Sequence, residues 1–507
     1  MPQQYHSRWV QIFSVLVVGL GALLVRPVSA MAQATPSAPA AGAHIRFAII
    51  GDYGEDGKQD ERVANLVKSW QPEFITTVGD NNYPSGAADT IDPNIGQYYH
   101  EYIYPYIGVY TNPATTITEN RFWPALGNHD WSALTCVGQT CTGPYFDYFT
   151  LPGNERYYDL VRGPVHFFFV DSDKREPDGI IRSSAQAAWL QAGLAKSQAR
   201  WQVVLLHHPP YSSGITNGPE QRLQWPYQAW GADAVLTGHE HIYERSTADG
   251  IPYIITGLGG KNERGIGTPR PCSEVRYNGD FGAMLVEATA LTMTFQFINV
   301  ANQLIDSYTL PAPPDPEVCT TTRVQQGADD VEQSEITGTV SLDSGDLELT
   351  RDLAKARAQI IGVRFQQMAI PAGAKILTAT LEFNNAKTHD EPTSLVIHGV
   401  AADNAPAFST TPFAVSALPQ TAASVAWDNA TPWLNSGYDE PTPNIAAILQ
   451  EVVNRPGWRQ GNAMAFVVTG SGVRSAMAYE GDPERVTGLT FRYETVLSNL
   501  YLPFVSR

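Results

Sequence analysis

Positive charge is scarce in this chain of 507 residues: 33 lysines and arginines stand against 51 aspartates and glutamates, a formal charge of −18. No run of basic residues occurs. That balance excludes a non-specific binder of polyanions, because nucleic acid would meet a repulsive long-range field with no basic patch to reverse it. Any phosphate handled here must be attracted locally. Long apolar runs are lacking as well. The one candidate, Ile12–Val25, has fourteen residues, short of the roughly 20 that cross a bilayer as a helix. With Arg8 before it and Ala32, Gln33 and Ala34 forming an A-x-A cleavage site after it, residues 1–34 read as an export signal. No stable membrane insertion is expected, and the mature chain would begin near Thr35. Cysteine is sparse too. Four cysteines in an exported chain imply two disulfides with three pairings open, and the expectation favours Cys136 with Cys141 and Cys272 with Cys319.

The length exceeds what one hydrophobic core usually supports, so two domains are expected. After a leader rich in proline and alanine, short apolar runs recur at 45–50, 74–78, 165–170, 203–206 and 234–236, with helix-like segments at 61–70 and 185–195 between several of them. This alternation gives an α/β sandwich over residues 44–310, closed by a hairpin at 281–300. Residues 311–327, opening with PAPPDP, read as a linker. From 328 to 495 the pattern changes to strict alternation, as in Leu377, Ala379, Leu381 and Phe383, with one helix near 445–453 ended by Pro456 and Gly457. That half is an antiparallel, jelly-roll-like β-sandwich. Residues 496–507 form an apolar tail.

Most of the chemistry-bearing motifs sit where an apolar run ends, the edge at which open α/β sheets bind ligands. GDYG holds Asp52. FITTVGDNNY delivers Asp80 and, three residues later, Tyr83. GNHD holds Asn128, VLLH ends at His207, and GHEH carries His239 and His241. Two carboxylates, a phenolate, an amide and three imidazoles are enough donors for two metal ions. Hard oxygen donors suit Fe³⁺, whereas imidazoles and an amide suit Zn²⁺, Fe²⁺ or Mn²⁺.

These five ordered blocks resemble the signature of the purple acid phosphatases, within the calcineurin-like metallophosphoesterases, and GHEHIYERS looks like their plant-type branch. The resemblance implies Asp52, Tyr83 and His241 on a ferric ion, Asn128, His207 and His239 on a divalent ion (Zn²⁺, Fe²⁺ or Mn²⁺), and Asp80 bridging them. In the wider superfamily the first block is usually D-x-H; here Gly54 replaces the histidine and Tyr83 fills the gap. The activity implied is that of a secreted acid phosphatase, in which a metal-bound hydroxide attacks a small phosphomonoester. His129 is expected to face the phosphate as hydrogen-bond donor or general acid, oriented by Asp130. The family's second imidazole, about nine residues after His207, is replaced by Thr216. Alternatives are a phosphodiesterase or a nucleotide- or phytate-directed hydrolase on the same site, or a non-catalytic surface-binding protein.

Other residues carry plainer expectations. His208 is read as a strand-end histidine facing away from the ligands, and His166 as a sheet residue. Glu244 and Arg245 should support the site, and the glycines at 257–260 should form a tight turn behind it. The second half resembles β-sandwich modules appended to secreted bacterial enzymes, which touch carbohydrate or cell surfaces. There Trp427, Trp433 and Trp458 are read as core, with sugar stacking as the alternative.

Overall fold

In a computed structural model, residues 44–111, 117–311, 317–353, 357–428, 430, 432–434 and 436–494 are described. The expected export signal at 1–34 and the tail at 496–507 lie outside them.

Short runs of β-branched and aromatic residues become buried parallel strands. Ile45–Ile50, Phe74–Thr77 and Phe122–Trp123 run parallel side by side, and the antiparallel strands Gly282–Ala288, Met293–Asn299 and Leu304–Leu310 extend this sheet beyond Ile45–Ile50. A second sheet places Val165–Phe169, Trp201–Leu205, Ala234–Thr237 and Ile251–Thr256 in parallel. Its flanks are the antiparallel strands Tyr158–Arg162 at one edge and Tyr243–Ala248 with Ser273–Tyr277 at the other. The sheets face each other through Phe47, Ile49, Phe74, Phe167, Val203 and Leu236. Each fully buried side chain of this size contributes about 1.5–3 kcal/mol.

Helices cover the outer faces. Lys58–Ser69 turns Val63, Ala64 and Val67 inward, with Asp60 and Glu61 in its first turn and Lys68 in its last, as the helix dipole favours. Ala185–Lys196 is capped by Ser184, whose hydroxyl accepts from the Ala187 amide at 3.1 Å. The sandwich is thus the α/β architecture read from the sequence. The closing hairpin gains a third strand, Leu304–Leu310.

The carboxy-terminal half is antiparallel throughout its described strands. Glu317–Arg323, Gly488–Glu494, Lys375–Asn384 and Asp439–Pro441 form one sheet; Asp330–Ser334, Arg357–Phe365, Met464–Ser471, Ser394–Val400 and Gln420–Trp427 form most of the other. Helix Ala446–Val453 buries Ile448, Leu449, Val452 and Val453 against this sandwich. Two expectations are corrected here. Within the 311–327 linker, Glu317–Arg323 is a strand paired with Gly488–Glu494 and bridged by Cys319 to Cys272, because EVCTTTR has strand-forming residues that a linker reading overlooks. The sugar-stacking alternative for Trp427, Trp433 and Trp458 also falls, since all three are buried in the core. The disulfides are Cys136–Cys141 and Cys272–Cys319, as expected.

Candidate metal centre

Parallel strands share one polarity, so their carboxyl ends collect at one edge, and five loops meet there. Asp52 follows Ile45–Ile50, Asp80 and Tyr83 follow Phe74–Thr77, and Asn128 follows Phe122–Trp123. From the facing sheet, His207 follows Trp201–Leu205, and His239 and His241 follow Ala234–Thr237. All seven side chains converge.

They form two groups around one carboxylate. Tyr83 Oη lies 2.9 Å from Asp80 Oδ2, 3.3 Å from Asp52 Oδ1 and 3.4 Å from His241 Nε2. On the other side, His207 Nε2 lies 3.0 Å from Asn128 Oδ1, 3.1 Å from His239 Nδ1 and 3.3 Å from Asp80 Oδ2. Asp80 belongs to both groups. The ring nitrogens turned away from the cluster are held by main-chain carbonyls: His207 Nδ1 by Val78 at 2.9 Å and His241 Nδ1 by Asn262 at 2.7 Å. These bonds fix the ring orientations, so each Nε2 faces the cluster, where a cation would take the place of any proton it carries. Oxygen and nitrogen lone pairs packed this closely, with few protons among them, fit a bound cation. The ligand atoms of Asp80, His207 and His239 lie within 4.8 Å of one another.

The electrostatics carry the same sign. Burial opposes charging His207, but the Asp80 carboxylate outweighs it and lifts the imidazole to about 9. Asp80 is held well below the usual carboxylate range: burial would raise it, and His207 and then His129 overcome that. Burial and the two neighbouring aspartates push the Tyr83 phenol upward, a shift that a cation at this point would reverse.

Backbone geometry aims the donors. Asp52, Asp80 and His239 all occupy the left-handed region, with φ of 54°, 53° and 67°. Each such residue costs on the order of 1–3 kcal/mol, and such residues cluster at functional sites. Gly54 explains the departure from D-x-H. A Cβ there would stand 1.8 Å from the Asn81 carbonyl oxygen, so no larger residue fits. The Gly54 carbonyl instead accepts from the Tyr83 amide at 2.6 Å, placing the phenol in the cluster.

His129 overlooks this edge. Its amide donates to Asp80 Oδ1 at 2.9 Å, its Nδ1 is held by the Pro84 carbonyl, and its Nε2 is 3.9 Å from Asp80 Oδ2. The expected partnership with Asp130 is corrected: no hydrogen bond joins the two side chains among the described residues. Asp130 instead accepts from the Gly127 amide at 2.8 Å and from Asn81 Nδ2 at 2.9 Å, bracing the loops that carry Asn128 and Asp80. Burial, then the Asp80 charge, pushes Asp130 up to about 7.

His208 is also corrected. Its ring lies 4.3 Å from that of His239, Ser172 Oγ meets its Nδ1 at 2.9 Å, and it lines a cavity of about 430 Å³ beside Asn128 and His239. Alternation along the strand predicts the opposite face, but the strand ends at Leu205 and the rule lapses after it. Glu244 and Arg245 act as supports: Glu244 receives the Ser213 amide at 2.7 Å, and Arg245 pairs with Asp306 at 2.7 Å. The 257–260 turn packs behind Asp52, with the Gly259 amide on the Gly51 carbonyl at 3.0 Å. His166 is a sheet residue, 2.8 Å from Asp159.

Two supports escaped sequence reasoning. Glu240, inside GHEH, accepts the Asn217 and Gly218 amides at 2.6 and 2.7 Å and pins that loop to the ligand turn. Arg175 donates to the Asn128 carbonyl at 3.0 Å while paired with Asp173. The signal available for Arg175 was the charged run DSDKRE directly after a buried strand.

Known proteins are similar to the first half of this chain. Residues 45–243 match the calcineurin-like phosphoesterase family. Purple acid phosphatase 17 of Arabidopsis thaliana is 24% identical over 253 residues, covering 44% of this chain and 70% of the relative. Tartrate-resistant acid phosphatase type 5 of Rattus norvegicus is 23% identical over 312 residues, covering 54% of this chain and 92% of the relative. A solved purple acid phosphatase from yellow lupin seeds is 18% identical, with a TM-score of 0.41, and the match covers 54% of each chain.

Proposed function

From the calcineurin-like phosphoesterase domain at residues 45–243, we infer that the chain is a secreted acid phosphatase that hydrolyses small phosphomonoesters at a dinuclear metal centre. Residues 44–310 form its catalytic domain and 328–495 an accessory one. The observation that carries the reading is the pair of donor groups sharing Asp80. Asp52, Tyr83 and His241 would hold a ferric ion, Asn128, His207 and His239 a divalent one (Zn²⁺, Fe²⁺ or Mn²⁺), and Asp80 would bridge. When bound, the pair would supply Lewis acidity and a hydroxide nucleophile below neutral pH.

The chain's own groups do the remainder. Asp52, Asp80 and the Tyr83 phenolate bring three negative charges against five from the two ions, leaving a local surplus of about +2 that attracts phosphate into an acidic protein. That surplus outweighs a diffuse surface charge screened over about 8 Å. His129, with Nδ1 held by Pro84, keeps Nε2 toward the reacting phosphate as hydrogen-bond donor. His208 puts a second imidazole in the cavity where Thr216 does not; burial, then His207, lowers it to about 3, so it faces the leaving group as a neutral hydrogen-bond donor and not as an acid. Export is supported by the two disulfides, which suit an oxidising compartment. Among the described residues no helix is long and apolar enough to cross a membrane.

The deciding experiment is metal analysis of purified protein, together with its visible spectrum and its rate on an aryl phosphate from pH 4 to 9. Iron, a tyrosinate-to-iron band and an acidic optimum are expected. A colourless, iron-free protein, or a rate climbing steadily to the alkaline end, would sink the ferric assignment.

A further inference from the structure

The cavity beside the metal centre is walled on its far side by the accessory sandwich. His208, His239 and Asn128 form its floor, while Ser436, Gly437, Tyr438 and Arg485 come from the carboxy-terminal half. Four cations line it, Lys174, Arg175, Arg222 and Arg485, against the carboxylates of Asp173 and Glu220, a surplus of two positive charges. In a chain of formal charge −18 such a local reversal has to be built.

Its parts are held in place from behind. Arg485 donates Nη2 and Nε to Asn384 Oδ1 at 2.7 and 3.1 Å, a neutral partner that fixes the guanidinium without cancelling its charge. The Gly437 carbonyl accepts from Asn384 Nδ2 at 3.2 Å, and the Tyr438 amide donates to Asn385 Oδ1 at 2.9 Å. Gly437 has φ of 93°, and a Cβ there would stand 2.7 Å from Arg485 Nη2, so the glycine leaves room for the cation. Across the gap the Tyr438 ring faces Gly218, which Glu240 ties to the ligand turn. Among the described residues, the carboxylate paired with the Arg222 guanidinium is distant, Asp482 at 3.9 Å. Lys174 is exposed and makes no ion pair among the described residues. Burial, then repulsion from Arg222, lowers the pKa of Arg485, while Glu220, Asp482 and Asp439 are the acids that face it and oppose that shift without cancelling it. Two guanidiniums repelling each other beside a metal centre are stabilised by an anion between them.

We propose that the accessory sandwich completes the active site: Arg485, with Arg222 and Lys174, forms a subsite for a second phosphate, so the preferred substrate carries a further phosphate next to the phosphoryl group that water removes, as a nucleoside diphosphate does. This rests on the phosphatase reading and extends it to substrate class. A monophosphate would leave the subsite empty and forfeit its binding energy. Charge-assisted hydrogen bonds of this kind correspond to about a tenfold change in affinity each.

The test compares ADP with AMP on the full chain, wild type against Arg485→Gln, with calorimetry of the non-hydrolysable α,β-methylene-ADP alongside. The ratio of kcat/KM for ADP over AMP should fall about tenfold, carried by KM, and analogue affinity should fall by a similar factor. A ratio and an affinity within twofold of wild type overturn the subsite. If neither ADP nor AMP nor an aryl phosphate is turned over, the phosphatase reading fails, and calorimetry alone then decides the subsite. Should Arg485→Gln misfold, the exposed Lys174→Gln replaces it, with a fall of about threefold in both readouts expected and no change overturning the proposal.

Discussion

Two β-sandwiches lie in one chain, and among the described residues it is the first that gathers a cluster of candidate metal donors. In the first, parallel strands point their carboxyl ends the same way, so five loops distant in sequence arrive together. In the second, antiparallel strands send successive turns to opposite ends. Among the described residues, the cluster of histidine and acidic ligand atoms that could hold a metal is Asp80, His207 and His239, all in the first sandwich. Strand polarity, rather than core composition, decides which sandwich can assemble chemistry. The second contributes as a wall, through one loop and one arginine.

Substitutions in either sandwich can break this division of labour. The hardest blow is Asp80→Asn, which removes a donor common to both groups; a loss of at least about 10³-fold in kcat on an aryl phosphate, with metal content reduced, is expected. Trp458→Ala strikes the other core, where Nε1 donates to the Ile370 carbonyl at 3.1 Å, and should cost about 3–5 kcal/mol by denaturant titration. Turnover per folded molecule on an aryl phosphate should persist; if it collapses as in Asp80→Asn, the division of labour is wrong.

Removing Cys272–Cys319, which spans 47 residues and ties the two halves, should cost about 4 kcal/mol. Removing Cys136–Cys141, spanning 5, should cost about 2 kcal/mol. Equal melting shifts would contradict the loop-closure argument. Glu240→Ala frees the Asn217 and Gly218 amides and should lower kcat/KM about 10- to 100-fold, as other residues that orient metal ligands do.

The smallest effect concerns pH in the second sandwich. Burial raises Asp330 to about 7, so the folded state binds a proton more readily than the unfolded chain. Stability from this group is greatest below about pH 4, declines as pH rises toward 7, and stays reduced above that. Asp330→Asn, which keeps an acceptor for the Tyr479 amide, should therefore raise Tm by a few degrees at pH 8 and by less at pH 4. An equal gain at both pH values would rule the cause out.

Much of the first sandwich was legible because its strands are continuous apolar runs: 45–50 and 74–78 were placed within a residue, and the ligand blocks follow directly. The Cys319 strand was hidden by proline-rich sequence just before it. His208 and Asp130 were misread for one reason: past the end of a strand, side-chain direction depends on partners far away in sequence, here Ser172, Asn81 and Gly127. The far wall of the cavity was out of reach altogether, since Arg485 and His208 are separated by most of the second sandwich and no local pattern links them.

Gly54 limits which substitutions the loop can take. Because the space beside its Cα is filled by the Asn81 carbonyl, this centre cannot acquire the imidazole of the commoner D-x-H type through one codon change. The loop would first have to move, and moving it would withdraw the carbonyl that seats the phenol. In this backbone a side chain at position 54 and the seated Tyr83 phenol exclude each other.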